Sequence, residues 1–183
     1  NRSFSIRLDS ESKPMQFKPV PSPPDSLEFV EEARSTVPLV PKSEHDCCGR
    51  LQHRTTVDRR DNAETWLTFL RALELVAEHE TGYARTRTEF DRDAIATAFE
   101  ERVFAADTIL ETLRAADTPL DVDTVFDRVE ETVPRWERDR HPEWRDVWHK
   151  RVADLLEWAV LLGFAERTDG GYRAIAPDRS DAD

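Results

Sequence analysis

The chain of 183 residues is short of glycine, cysteine, methionine and lysine, and each shortage closes off a class of function. With five glycines in all there is no Gly-rich phosphate loop, no nucleophile elbow and no dinucleotide fingerprint, so the common nucleotide-binding enzymes are excluded. No enzyme is expected. The two cysteines, Cys47 and Cys48, are neighbours in sequence, a spacing that suggests no disulfide framework. With His45 and His53 nearby they have the composition of a metal site, but structural zinc sites separate their thiols by two to four residues. Two small, partly buried residues near a helix start is the simpler account, and no metal or other cofactor is expected. No apolar run approaches the roughly 18 to 20 residues that cross a bilayer, and the start of the chain shows no basic, apolar and cleavage segments in series. A cytoplasmic protein with no membrane partner is the expectation. Met15 is the one methionine, so residues 1–14 read as an upstream extension.

Charge is what the sequence has in abundance. Asp and Glu contribute 19 each, Arg outnumbers Lys by 22 to 4, and the net charge is -12. This composition resembles that of haloarchaeal proteins. In molar salt the Debye length falls to about 3 Å, so repulsion among surface carboxylates is screened while their hydration favours solubility. Net acidity is then a background, and the informative places are those where local charge departs from it.

Proline and serine crowd residues 1–25, a stretch expected to be disordered, and residues 177–183 read as an acidic tail. Between them lies an internal repeat. Residues 66–77 align with residues 155–166 at a constant offset, apolar position on apolar position, and Gly82-Tyr83 then falls on Gly171-Tyr172. Trp144, Trp148, Arg151, Leu155, Trp158 and Leu162 recur at steps of three or four, one stripe of a helix, and Gly163 supplies its stop. Residues 164–168 and 172–175 flank Asp169-Gly170-Gly171, a hairpin turn. Upstream, helical spacing predicts one long helix over about 93–116 and a second from Val122 to Val133, stopped by Pro134. In the first copy the helices fall at 26–34, 44–51 and about 59–73, with a hairpin over 75–85. The first copy departs from the second in having Glu74 where the second has Gly163.

This order resembles the tandem winged helix-turn-helix family, in the general style of haloarchaeal DNA-binding proteins. The resemblance implies a mainly α fold with small β-wings, one unit over residues 26–88 and another over 89–176, and a transcriptional regulator acting on double-stranded DNA. In that family the third helix enters the major groove and the wing reaches the backbone or minor groove. Residues 50–60 carry an excess of three positive charges and residues 135–151 an excess of two, leaving -17 for the rest of the chain. Arginine suits DNA because a guanidinium bridges phosphate oxygens, or the O6/N7 edge of guanine, with two hydrogen bonds. The candidate contacts are Arg54, Arg59 and Arg60 in the first unit, and Arg145, His149, Lys150, Arg167 and Arg173 in the second. The alternative for these is a solvated surface, since Asp146 with Lys150 and Lys150 with Asp154 are pairs one helical turn apart.

Three of the five tryptophans lie between residues 136 and 148 among arginines. Such a cluster suits base stacking, but Trp144 and Trp148 sit on the apolar stripe and are better assigned to the core. His141 and His149 have no partners placed to make a catalytic base. A homodimer through the 93–116 helix is one expectation. A protein-interaction scaffold, using winged-helix units without nucleic acid, is the alternative function, since an acidic surface suits a basic partner.

Overall fold

The structure, a computed structural model, describes residues 16–176. In chain order the first unit comprises α1 (Leu27–Thr36), α2 (Glu44–Arg54), α3 (Arg60–Ala72) and a hairpin of β1 (Val76–His79) and β2 (Gly82–Arg85). A linking helix, α4 (Arg92–Arg102), leads into α5 (Ala106–Ala115), α6 (Val122–Glu130), α7 (Arg135–Arg140), α8 (Trp144–Leu161), and a second hairpin of β3 (Ala165–Thr168) and β4 (Gly171–Ala174). The fold is mainly α with two β-wings, as the repeat predicts. Corresponding helices are capped at corresponding places. Ser43 Oγ accepts the Asp46 amide at 3.1 Å to open α2, and Asp121 Oδ1 accepts the Thr124 amide at 2.8 Å to open α6.

The hairpins share one register. Val76 faces Arg85 and His79 faces Gly82 in the first, and at the equivalent places of the second Ala165 faces Ala174 and Thr168 faces Gly171. Each receives a further strand position from the segment before the unit's second helix. Lys42 and Tyr83 exchange backbone bonds of 2.7 and 3.0 Å, and Leu120 and Tyr172 exchange bonds of 2.8 and 2.9 Å. This approach explains the glycines. A Cβ on Gly82, at φ +139°, would lie 2.1 Å from the Lys42 carbonyl oxygen, and one on Gly171, at φ +128°, would lie 2.2 Å from that of Leu120. The helix stop is also common to both copies. Glu74 adopts φ +63° where Gly163 adopts +87°, so the departure seen in the sequence is absorbed by a left-handed glutamate, whose carboxylate meets Arg102 at 2.8 Å.

The two units differ in one insertion. Lys42 is equivalent to Leu120 and Val76 to Ala165, and the chain takes a longer path between the second pair of positions than between the first. The extra length accommodates α7, which the hydrophobic pattern did not announce because none of its residues is buried. The helix expected to run to Val133 ends at Glu130, and the turn that follows it leads directly into the insertion.

Two further expectations are corrected. The single helix over 93–116 is two helices, broken at residues 103–105, where Ala105 takes φ +71° and Val103 forms a parallel bridge with Phe17. Ile95, Phe99, Ile109, Leu110 and Leu113 are buried within the chain, so that stripe offers no apolar face for a second copy. The segment expected to be disordered is, from residue 16 onward, a strap laid on the core. The Phe17 amide donates to the Arg102 carbonyl at 2.7 Å, its carbonyl accepts from the Phe104 amide at 2.9 Å, and its ring is 9% exposed. Residues 1–15 and 177–183, which include the proposed extension and the acidic tail, lie outside the described residues.

The units share a core at Trp158, which is fully buried. Its ring centroid lies 4.6 Å from that of Phe69 and 5.9 Å from that of Trp66, and its Nε1 donates to the Pro21 carbonyl at 2.9 Å. Phe69 and Trp158 are equivalents in the repeat.

Candidate nucleic-acid interface

On α3 the buried positions are Ala63, Trp66, Leu67, Phe69, Leu70 and Ala72, which leaves Arg60, Asp61, Asn62, Glu64, Thr65, Thr68 and Arg71 outside the core. On α8 the charged residues outside the core are Arg145, Asp146, His149, Lys150, Arg151, Asp154 and Glu157, so carboxylates match the permanent cations in number. Seven of the eight predicted contacts have a carboxylate partner. Arg59 reaches Asp61 at 3.2 Å, Arg60 reaches Glu64 at 3.2 Å, His149 reaches Asp123 at 2.6 Å and Lys150 reaches Asp154 at 3.0 Å. Arg145 pairs with Glu130, Arg167 with Glu157 and Arg173 with Glu166. Exposed pairs of this kind contribute about 0–1 kcal/mol each, weak enough to exchange a carboxylate for a phosphate, but while formed they cancel the local field that attracts one.

The wing of the second unit is tied inward as well. Arg167 and the Tyr172 hydroxyl both donate to Glu157 on α8. Burial, and the carboxylate it donates to, push the Tyr172 phenol up to about 12. Arg145 also lies over two rings, with its guanidinium 5.6 Å from the Phe126 centroid and 5.5 Å from that of Trp144.

The eighth residue, Arg54, sits elsewhere. It closes α2, whose outer face forms a shallow basin of about 500 Å³ lined by Lys42, His45, Asp46, Gly49, Arg50, His53 and Arg54. Asp46 is the one carboxylate among those lining residues. Arg60 adjoins the basin, its guanidinium 3.0 Å from His45 Nδ1. Arg54 and Arg60 are thus brought to one surface with Lys42, His45, Arg50 and His53, which the sequence expectations did not include among the contacts. The signal is present in the sequence: residues 42, 45, 46, 49, 50 and 53 follow steps of three and four, one face of a helix. A linear window of charge beginning at residue 50 cuts that face in half.

Gly49 is notable for what does not surround it. It is exposed in the middle of a helix, and a Cβ there would meet nothing within 4 Å. Glycine in a helix interior costs about 1 kcal/mol relative to alanine, and no contact within the chain calls for it. A smooth spot amid cations admits the close approach of another molecule's backbone.

The second unit inverts this surface. With Lys42 set on Leu120, His45, Gly49 and His53 correspond to Asp123, Asp127 and Glu131 and Arg50 to Arg128, so the matching face of α6 and its C-cap carries three acids against one cation. The inward positions correspond too. Cys47 and Cys48 match Val125 and Phe126, and all four are buried. The cysteines are core side chains. Burial raises both thiols, Cys48 to about 11, and the described residues hold no group of three or more His, Cys, Asp or Glu able to bind a metal ion. Of the tryptophans, Trp148 and Trp158 are core, Trp144 is half-buried and Trp136 is 57% exposed. Among the described residues no helix is long and apolar enough to cross a membrane.

The family model of the halobacterial double winged helix domain matches residues 15–179 of the chain. No curated protein and no solved structure matches the chain.

Proposed function

For a chain that belongs to the halobacterial double winged helix family, we propose duplex-DNA binding and transcriptional regulation, exerted mainly through the first unit. The observation that carries this is the cationic basin on α2, where Lys42, Arg50 and Arg54 stand against Asp46 with His45 and His53 between them. In helix-turn-helix proteins the second helix of the motif reads the groove while the first crosses the phosphate backbone, and α2 holds that first position. Gly49 supports the same reading, because phosphates approach a helix most closely where no side chain intervenes. Arg54, Arg59 and Arg60 extend the surface to the start of α3. Arg59 and Arg60 do so, and Arg145, His149, Lys150, Arg167 and Arg173 join it, only by exchanging their carboxylates for phosphates.

The test is fluorescence anisotropy with a labelled duplex across a range of KCl concentrations. Three phosphates neutralised by Lys42, Arg50 and Arg54 give a slope of log affinity against log salt of about -3, and Arg50→Gln with Arg54→Gln reduces it by about 2. Gly49→Ala is expected to raise the melting temperature and weaken DNA binding together. An affinity unmoved by all three substitutions removes the α2 surface from the interface. A second reading, a protein-interaction module, is favoured by Asp123 and Asp127 on α6 and Glu131 at its C-cap, a face suited to a cationic partner. It stands alone if no duplex binds at any salt concentration.

A further inference from the structure

The insertion that distinguishes the second unit builds a cleft with no counterpart in the first. Its cavity volume is about 330 Å³, within the size range of small-molecule sites, and its walls are Trp136 from α7 and Trp144 and Trp148 from α8. Lys18 of the N-terminal strap and Arg151 of α8 line it with them, and Glu137 brings the one carboxylate. That carboxylate is already satisfied: Lys18 pairs with it and Trp148 Nε1 donates to it at 3.0 Å. Arg151 is not. Its guanidinium lies 4.4 Å from the Trp148 ring centroid and has neither a hydrogen bond nor an ion pair with any described residue. Burial lowers its pKa, and the Glu137 carboxylate, already taken by Lys18 and Trp148, opposes that only in part. Trp136 is a large indole left mostly exposed, with only the Lys18 ammonium, 4.4 Å from its centroid, stacked on it.

We propose that this cleft is a binding site for a small aromatic carboxylate, whose ring packs against Trp136 and Trp144 and whose carboxylate pairs with Arg151. Flat apolar walls select a ring, and an unpaired, partly desolvated guanidinium selects a planar anion that takes two hydrogen bonds. The ligand bridges the strap, α7 and α8. Because α7 buries no side chain of its own, binding also stabilises its docking on α8. This site is independent of the DNA surface on α2.

The probes are 1-naphthoate and its neutral counterpart 1-naphthalenemethanol, titrated by calorimetry into the full chain in molar KCl. The acid is expected to bind about tenfold or more tightly than the alcohol, and to raise the melting temperature. Trp136→Ala, at an exposed position, is expected to leave the fold intact and weaken naphthoate by about tenfold. Arg151→Gln is expected to erase the preference for acid over alcohol. Equal affinity of the two probes for the unaltered protein overturns the proposal, as does undiminished naphthoate binding by the Trp136 variant. Both measurements stand if the Arg151 variant fails to fold. Displacement of naphthoate by an oligothymidylate of higher affinity also overturns it, in favour of a single-stranded nucleic-acid groove.

Discussion

Trp158→Ala is the substitution that most directly probes how the two units are joined. The side chain is fully buried, its ring lies 4.6 Å from Phe69 across the junction, and its indole N–H is bound to the Pro21 carbonyl. Truncating a buried tryptophan costs about 3–5 kcal/mol in lost packing and residual cavity. The abandoned Pro21 carbonyl adds about 1 kcal/mol. For a domain of this size each kcal/mol moves the melting temperature by about 2–4 °C, so a fall of roughly 10–20 °C is expected. Trp158→Phe separates the contributions: it keeps an aromatic ring against Phe69 but cannot donate to Pro21, and its cost is expected to be smaller. A double-mutant cycle with Phe69→Ala should return a coupling of about 0.5–1.5 kcal/mol. The assay is thermal or guanidinium unfolding in molar KCl, followed by near-UV circular dichroism. A cost below about 1 kcal/mol, or two separate transitions of which only one moves, would refute a core shared between the units.

Gly82→Ala and Gly171→Ala each drive a Cβ into a backbone carbonyl at 2.1 and 2.2 Å, so each is expected to cost about 2–4 kcal/mol, with loss of hydrogen-exchange protection at Tyr83 or Tyr172 in its own wing. The chain has two tyrosines, so phenolate absorbance resolves their titration, and Tyr172 is expected to ionise near pH 12. Because folding raises that pKa, the stability Tyr172 contributes is complete below its unfolded value of 10.0 and is lost as pH rises toward 12. Tyr172→Phe should flatten this alkaline loss. Cys47 and Cys48 are expected to resist Ellman's reagent in the folded protein and react only on opening, so rapid modification of either would contradict their burial.

The repeat was legible because both copies solve one physical problem: Phe69 and Trp158, Val76 and Ala165, Gly82 and Gly171 occupy the same places in two cores and two turns. Element order and wing register follow from hydrophobic period and turn glycines, which act over short stretches of chain. The break at Ala105 did not show, since Val103 and Phe104 are apolar on either account and only the docking of Phe17 beside them ends the helix. The N-terminal strap was hidden for the opposite reason. Its prolines exclude a helix, yet Phe17 and Pro21 are held by Val103 and Trp158, partners that lie in the other half of the chain.

The sequence by itself determined two winged units, a surplus of carboxylates, and adjacent cysteines whose spacing suggests no disulfide framework, because these depend on composition and local spacing. Only the tertiary structure decided which cations are available, because charge acts through space. Arg145, Arg167 and Arg173 meet carboxylates that folding brings to them from other elements, and Lys150 meets Asp154 on its own helix. Lys42, Arg50 and Arg54 are gathered on one surface with a single acid among them.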